Sequence, residues 1–131
     1  MALTIAAASA QAMGAALAAN IGAGSILEIR SGTKPATPET AASGTLLVSV
    51  TVTGSFTSTG GVLTAADPAS ASPAASGTAG YFRLKTSGGT AVLDGTATAT
   101  GGGGDLQLGS TTITTGVPVD LGIPTITIPV A

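Results

Sequence analysis

Two different hydrophobic periods divide this chain. In residues 5–21 the apolar and small positions on one stripe recur about every four residues, and they are Ala6, Ala10, Met13, Leu17 and Ile21. This spacing on an Ala-rich background predicts a helix over residues 5–21, and Gly22 and Gly24 follow as stop signals. The alternative is a flexible arm that becomes ordered only against a partner.

From Ser25 onward the period is two, which is typical of strands with one buried face. Leu27 and Ile29 alternate with Glu28 and Arg30, and residues 46–53 form the clearest alternating run. Further strands are predicted at 62–63, 80–86, 90–100, 106–108, around Ile113, through 117–121 and through 126–130. The paired glycines at 88–89 predict a hairpin, and the run Gly101 to Gly104 predicts a flexible hairpin loop.

Seven or eight short strands separated by turn signals favour a β-sandwich, a jelly roll or a small barrel. We therefore predict a mainly β protein with a sandwich-like or jelly-roll-like domain. The predicted organisation is an N-terminal Ala-rich helix or arm over residues 1–24 and a β-domain over residues 25–131.

The composition leaves few side chains that could catalyse a reaction or bind a charged ligand. The chain of 131 residues has no Cys, His or Trp, and only four basic and six acidic side chains, so that charged residues make up 8% of it. An ordinary soluble domain has roughly 25%. Four basic residues and a net charge of −2 do not provide the basic surface that nucleic-acid binding requires. We expect a structural or binding protein with no enzymatic activity and no cofactor.

Three motifs in the sequence are candidates for a catalytic or ligand-binding site. Ser31 and Lys34 have the Ser-x-x-Lys spacing of a Lys-activated nucleophile, but Pro35 and the preceding strand argue against the helix that this motif needs. The glycine run at 101–104 lacks the Lys that follows in a phosphate-binding loop. Asp94, Asp105 and Asp120 would bind a hard cation if they met, but each is expected to be a solvated turn carboxylate.

Residues 2–24 carry no charge, yet we do not expect them to form a signal peptide or a membrane anchor. A signal peptide needs a basic segment, and no Lys or Arg precedes Arg30. A transmembrane helix needs about 20 strongly apolar residues, which this Ala-rich segment does not supply. We expect a protein that neither is secreted by a signal peptide nor lies in a membrane.

The remaining candidates are contacts with a partner. Tyr81, Arg83 and Lys85 share one face of a predicted strand, which would be a solvated face by default and a partner-binding face as the alternative. Together with the helix stripe and the last strand, the candidate interface residues are Met13, Leu17, Ile21, Tyr81, Arg83, Lys85, Ile126 and Ile128.

Several segments resemble small virion structural proteins of tailed bacteriophages. The resemblance lies in Gly77-Thr78-Ala79-Gly80-Tyr81-Phe82-Arg83-Leu84, in residues 87–96, and in the style of residues 27–35, 44–47 and 116–129. It implies a β-rich protein present in many copies on the virion, after synthesis in the host cytoplasm.

Within that family the resemblance implies a capsid cement or decoration protein on the capsid surface, bound to the major capsid protein as a homo-dimer or homo-trimer. A tail, baseplate or head–tail junction protein is the alternative in the same setting. A receptor-binding or carbohydrate-binding module is the alternative from a different class, although the chain has only three aromatic residues.

Overall fold

A computed structural model describes residues 4–65 and 70–119, and the backbone of residues 125–127. Its one helix within these ranges is α1 (Ala7–Ile21). The strands of the described residues are β1 (Ile26–Ser31), β2 (Leu46–Thr51), β3 (Thr57–Thr59), β4 (Val62–Thr64), β5 (Gly77–Lys85), β6 (Ala91–Ala99), β7 (Leu106–Leu108), β8 (Thr112–Ile113) and β9 (Thr125–Thr127). The predictions of a mainly β protein and of one N-terminal helix are confirmed.

The strands form two sheets. The large sheet has the order β2-β1-β5-β6-β7, and β8 pairs with the start of β5. The small sheet has the order β3-β4-β9. β1 lies between β2 and β5 and is antiparallel to both. β3 was not predicted, and Val119, predicted within a strand, makes only a single bridge with Ala71.

The apolar core lies on one face of the large sheet. Leu27 and Ile29 of β1 are buried there together with Val48, Val50 and Leu84 of the neighbouring strands. One end of this core also contains Ile21, Val52, Phe56 and Leu63, and the other end contains Leu47, Ala79, Leu108 and Ile113. Phe82 is half-buried and contacts both ends, so the two parts form a continuous apolar layer.

The helix packs through small residues. Its buried positions are Ala10, Gly14, Ala18 and Ile21, whereas Leu17 is half-buried and Met13 is 46% exposed. The predicted stripe is therefore wrong at Met13, whereas Leu17 and Ile21 pack in the core and Ala10 is buried, as the stripe predicts. The reason is the close approach of the β3–β4 hairpin: a Cβ at Gly14 would lie 2.9 Å from Leu63 Cδ1, and one at Gly61 would lie 2.9 Å from Ala10 Cβ.

Gln11 fastens the helix to the same hairpin. Its side-chain amide donates to the Ser58 carbonyl oxygen at 2.7 Å, and its Oε1 accepts from the Gly60 N–H. These bonds also occupy part of the outer edge of β3, which would otherwise be open to another strand. Because Ala18 and Ile21 belong to the core, α1 is an integral part of the packing between residues 4 and 65 and not an arm held only by a partner.

Of the two hairpins predicted at glycine-rich turns, one is confirmed and the other is wrong. The hairpin predicted at Gly88-Gly89 is confirmed, since β5 and β6 are antiparallel and Gly89 has φ +94°. The hairpin predicted at Gly101 to Gly104 is wrong, because β7 runs parallel to β6. The positive φ angles of Gly101 and Gly103 let the chain turn back within a short loop, so that Ala97 pairs with Leu106.

Candidate functional site

The opposite face of the large sheet carries half of the charged residues of the chain. Strand alternation and register bring five of them together, and we call this set the charged network: Glu28, Arg30, Arg83, Lys85 and Asp94. Glu28 is the direct cross-strand partner of Arg83, and Arg83 is the direct partner of Asp94. Opposite charges at directly paired positions stabilise a sheet.

Arg83 and Asp94 form a bidentate ion pair. The Arg83 Nε donates to Asp94 Oδ1 at 2.7 Å, and its Nη2 donates to Oδ2 at 2.8 Å. The two side chains are only 4% and 3% exposed. The hydrogen bonds that Arg83 donates to Asp94 are the main reason that the pKa of Arg83 is raised, and they outweigh the opposite effect of burial. Two parallel bonds of this kind are among the strongest polar contacts in proteins.

Glu28 is shared by two cations. The Arg30 Nε donates to its Oε1 at 3.1 Å, and the Lys85 Nζ donates to its Oε2 at 2.9 Å. Burial acts to raise the pKa of Glu28, but the hydrogen bonds from Lys85 and Arg30 and their positive charges together lower it below its ordinary value. The Glu28 carboxylate is thus held in its ionised form.

Tyr81 closes one end of the network. Its side chain is fully buried, its hydroxyl donates to the Ser43 carbonyl oxygen at 2.7 Å, and it accepts from the Ser43 N–H at 3.0 Å. These bonds fasten the β1–β2 loop over this end of the sheet. The expectation of a solvated face is therefore wrong for Tyr81 and Arg83, although the prediction that Tyr81, Arg83 and Lys85 share a face is confirmed.

The other candidate interface residues are scattered. Met13 is exposed on α1, Leu17 is half-buried, and Ile21 lies in the core. Ile126 lies in β9, which pairs with β4 of the same chain. Ile128 lies outside the described residues. Among the described candidates, the structure brings together Tyr81, Arg83 and Lys85 on one face of the sheet, and Leu17 and Ile21 at one end of the core.

The proposed carboxylate cluster does not form among the described residues. Asp94 is paired with Arg83 inside a strand, so the expectation of a solvated turn carboxylate is wrong for it. Asp105 accepts hydrogen bonds from the Thr96 N–H at 3.0 Å and from the Thr96 hydroxyl at 3.1 Å. Asp120 lies outside the described ranges, and within them no group of acidic residues is placed to hold a metal ion.

The remaining motifs have local roles. Ser31 ends β1, and its hydroxyl oxygen accepts a hydrogen bond from the Thr45 N–H at 2.9 Å, while Lys34 lies exposed in the following loop. The glycine run at 101–104 folds onto Thr98, whose hydroxyl oxygen accepts from the Gly104 N–H. Neither motif has the helix that its catalytic or phosphate-binding counterpart requires.

Sequence reasoning missed the acidic members of the network. Asp94 was not connected with Arg83, and Glu28 was not connected with Lys85. The predicted Gly88-Gly89 hairpin was a usable signal for the first pair, because it brings β6 alongside β5. The second pair joins residues 57 positions apart and has no local signal.

No protein family, curated protein sequence or solved structure matches this chain. Within the described ranges, α1 is too short and too weakly apolar to span a bilayer.

Proposed function

We propose that this protein is a non-enzymatic structural protein of tailed-phage virions that binds the major capsid lattice as a cement or decoration protein. The observation that carries the proposal is the low charge of the protein's surface over residues 4–65 and 70–119. Of the described charged residues, only Lys34, Glu39 and Asp105 are exposed, because the other five belong to the charged network. The exposed polar side chains are mostly Thr and Ser.

Such a surface suits permanent contact with other subunits. Exposed charge keeps free monomers apart and soluble, and this chain directs half of its charged side chains into its own fold. A neighbouring subunit would meet hydroxyl groups and small apolar side chains, which are cheaper to remove from water than unpaired charges. The mechanism is adhesive: the protein bridges adjacent capsid subunits and resists internal pressure.

The same proposal includes a finer fold assignment, a β-sandwich or jelly-roll-like domain. It is supported by the position of the core, which lies between one face of the large sheet and the unit made of α1 and the β3–β4 hairpin. Residues of both layers, among them Leu27, Leu84, Ile21 and Leu63, meet there.

The carbohydrate-binding alternative has less support. Sugar-binding surfaces present exposed aromatic rings, and the three aromatic residues of the chain are buried or half-buried: Phe56, Tyr81 and Phe82. The resemblance to virion proteins instead supports an assembly role.

Quantitative proteomics of purified virions tests the proposal. A cement protein is expected at a copy number comparable to that of the major capsid protein. A few copies per particle would rule out cement and favour the tail, baseplate or head–tail junction. Absence from virions would overturn the virion assignment.

A further inference from the structure

The charged network has one more cation than it has carboxylates, so it carries an excess positive charge. Its cations are Arg30, Arg83 and Lys85, and its carboxylates are Glu28 and Asp94. Asp94 engages Arg83 with both of its oxygens, so Arg30 and Lys85 share the single carboxylate of Glu28. This local excess occurs in a chain whose net charge is −2.

The excess charge is accessible from solvent. The side chains of Arg30 and Lys85 are 16% and 23% exposed, whereas Arg83 is covered. Arg30 directs one of its N–H donors at Glu28, and Lys85 directs one of its three. The remaining N–H donors of both side chains lie beside the Glu28 carboxylate and could bind a second carboxylate.

A suitable carboxylate lies in the β1–β2 loop. Glu39 is exposed and forms no ion pair with any described residue. Its position is held by a turn in which the Thr40 N–H donates to the Thr37 carbonyl oxygen at 3.1 Å. Asp105, the other exposed carboxylate of the described ranges, is already bonded to Thr96.

The end of the β1–β2 loop and the cations lie on the same face of the sheet. Ser43 fastens the end of the loop to Tyr81, and Tyr81 is the direct cross-strand partner of Arg30. A two-fold axis near this face would place the loop of each copy against the cations of the other. Such an interface is self-complementary and forms the same contact twice.

We propose that Arg30 and Lys85 form a carboxylate-binding site that is completed by Glu39 of a second copy of this chain. The site rests on the proposed function only in requiring that copies of the chain associate. It defines the charged contact that sets the orientation of the dimer, because paired charges fix register and exclude wrong partners.

Zero-length carbodiimide cross-linking of the full chain tests the contact directly. The reagent joins a carboxylate to an amine in direct contact, and the only lysines are Lys34 and Lys85. A mixture of ¹⁴N-labelled and ¹⁵N-labelled protein identifies links between copies by mass spectrometry. We expect a mixed-label Glu39–Lys85 link that is lost in Glu39→Gln.

Sedimentation velocity on the same proteins measures the contribution of the contact. We expect Glu39→Gln to raise the dimer dissociation constant about tenfold, since two exposed or half-exposed ion pairs are lost. Asp105→Asn is the matched control and should leave the constant unchanged. Raising the salt concentration should weaken the wild-type dimer and have little effect on Glu39→Gln.

The outcomes separate this site from the virion assignment. A dimer that cross-links through other residues, or that is as tight in Glu39→Gln, would overturn the site and leave the virion assignment standing. A chain that stays monomeric at every concentration would also overturn the site. The virion assignment itself is decided by copy number on the particle.

Discussion

The guanidinium of Arg83 meets the carboxylate of Asp94 because β6 contains one residue more than β5 in this part of the hairpin. Lys85 pairs with Ala91, but Leu84 pairs with Leu93, so Val92 is the extra residue. Without it, Arg83 would lie opposite Leu93. A single-residue bulge thus determines which side chain neutralises a covered cation.

Removing the Asp94 carboxylate is expected to be strongly destabilising. Asp94→Ala leaves the covered Arg83 guanidinium without its anion, and the free energy of unfolding should fall by about 3 kcal/mol in urea denaturation. The exposed variant Lys34→Ala is the control and should change it by less than about 0.5 kcal/mol. Replacing both partners by apolar residues, Arg83→Met with Asp94→Leu, should recover much of the loss, and no recovery would contradict this account.

Glu28 makes the free energy of unfolding depend on pH in the acid range. Its pKa is lowered in the folded protein, so the unfolded chain takes up this proton first as the pH falls. The stabilisation is therefore complete above the ordinary pKa of 4.5 and is lost as the pH falls through the lowered native value. Glu28→Gln should be less stable than the wild type at pH 7, and the difference between the two should shrink as the pH falls below 4.5 in urea titrations. A constant difference across this range would contradict the prediction.

Gly14 is expected to resist a change that normally stabilises helices. On an exposed helix face, Gly→Ala gains about 1 kcal/mol. At Gly14 the added methyl group would meet Leu63 Cδ1 and the Ser58 side chain, so Gly14→Ala should instead lower the free energy of unfolding by about 1–2 kcal/mol. Ala16→Gly, on the exposed face of α1, should cost about 1 kcal/mol as in an ordinary helix. A more stable Gly14→Ala protein would show that the helix and the hairpin are less closely packed.

Ile21 and Met13 distinguish the packed side of α1 from its outer side. Ile21 is 1% exposed in the core, and Ile21→Ala should lower the free energy of unfolding by about 3 kcal/mol. Met13→Ala should change it by less than about 0.5 kcal/mol. Thermal unfolding followed by circular dichroism measures both. Similar losses for the two variants would mean that Met13 also packs into the core.

Sequence reasoning succeeded where a feature depends on neighbouring residues. The alternation of Glu28 with Leu27 and Ile29 predicted one buried face of β1. The spacing of Tyr81, Arg83 and Lys85 predicted that they share a face, and Gly88-Gly89 predicted the hairpin that follows. Each of these features is determined within a few positions of the chain.

It failed where the partner is distant. Whether Tyr81 is solvated depends on Ser43, which lies 38 positions away. The helix packs through Gly14 because Ser58 and Leu63 approach it, and nothing in α1 itself signals that approach. Small residues form the packed side of a helix only when a neighbouring backbone is close, so the larger Met13 was predicted to belong to the packed stripe.

The position of β1 between β2 and β5 also has a consequence for the order of folding. β5 and β6 are joined by a short turn and lose little chain entropy on pairing, whereas β1 must close a loop of more than 40 residues to reach β5. We expect the β5–β6 hairpin to form before β1 inserts beside it, as contact order dictates. We therefore expect Lys85 to be unpaired until β1 brings Glu28 beside it during refolding. The rate at which β1 pairs with β5 is set by loop closure and not by the strength of the ion pair.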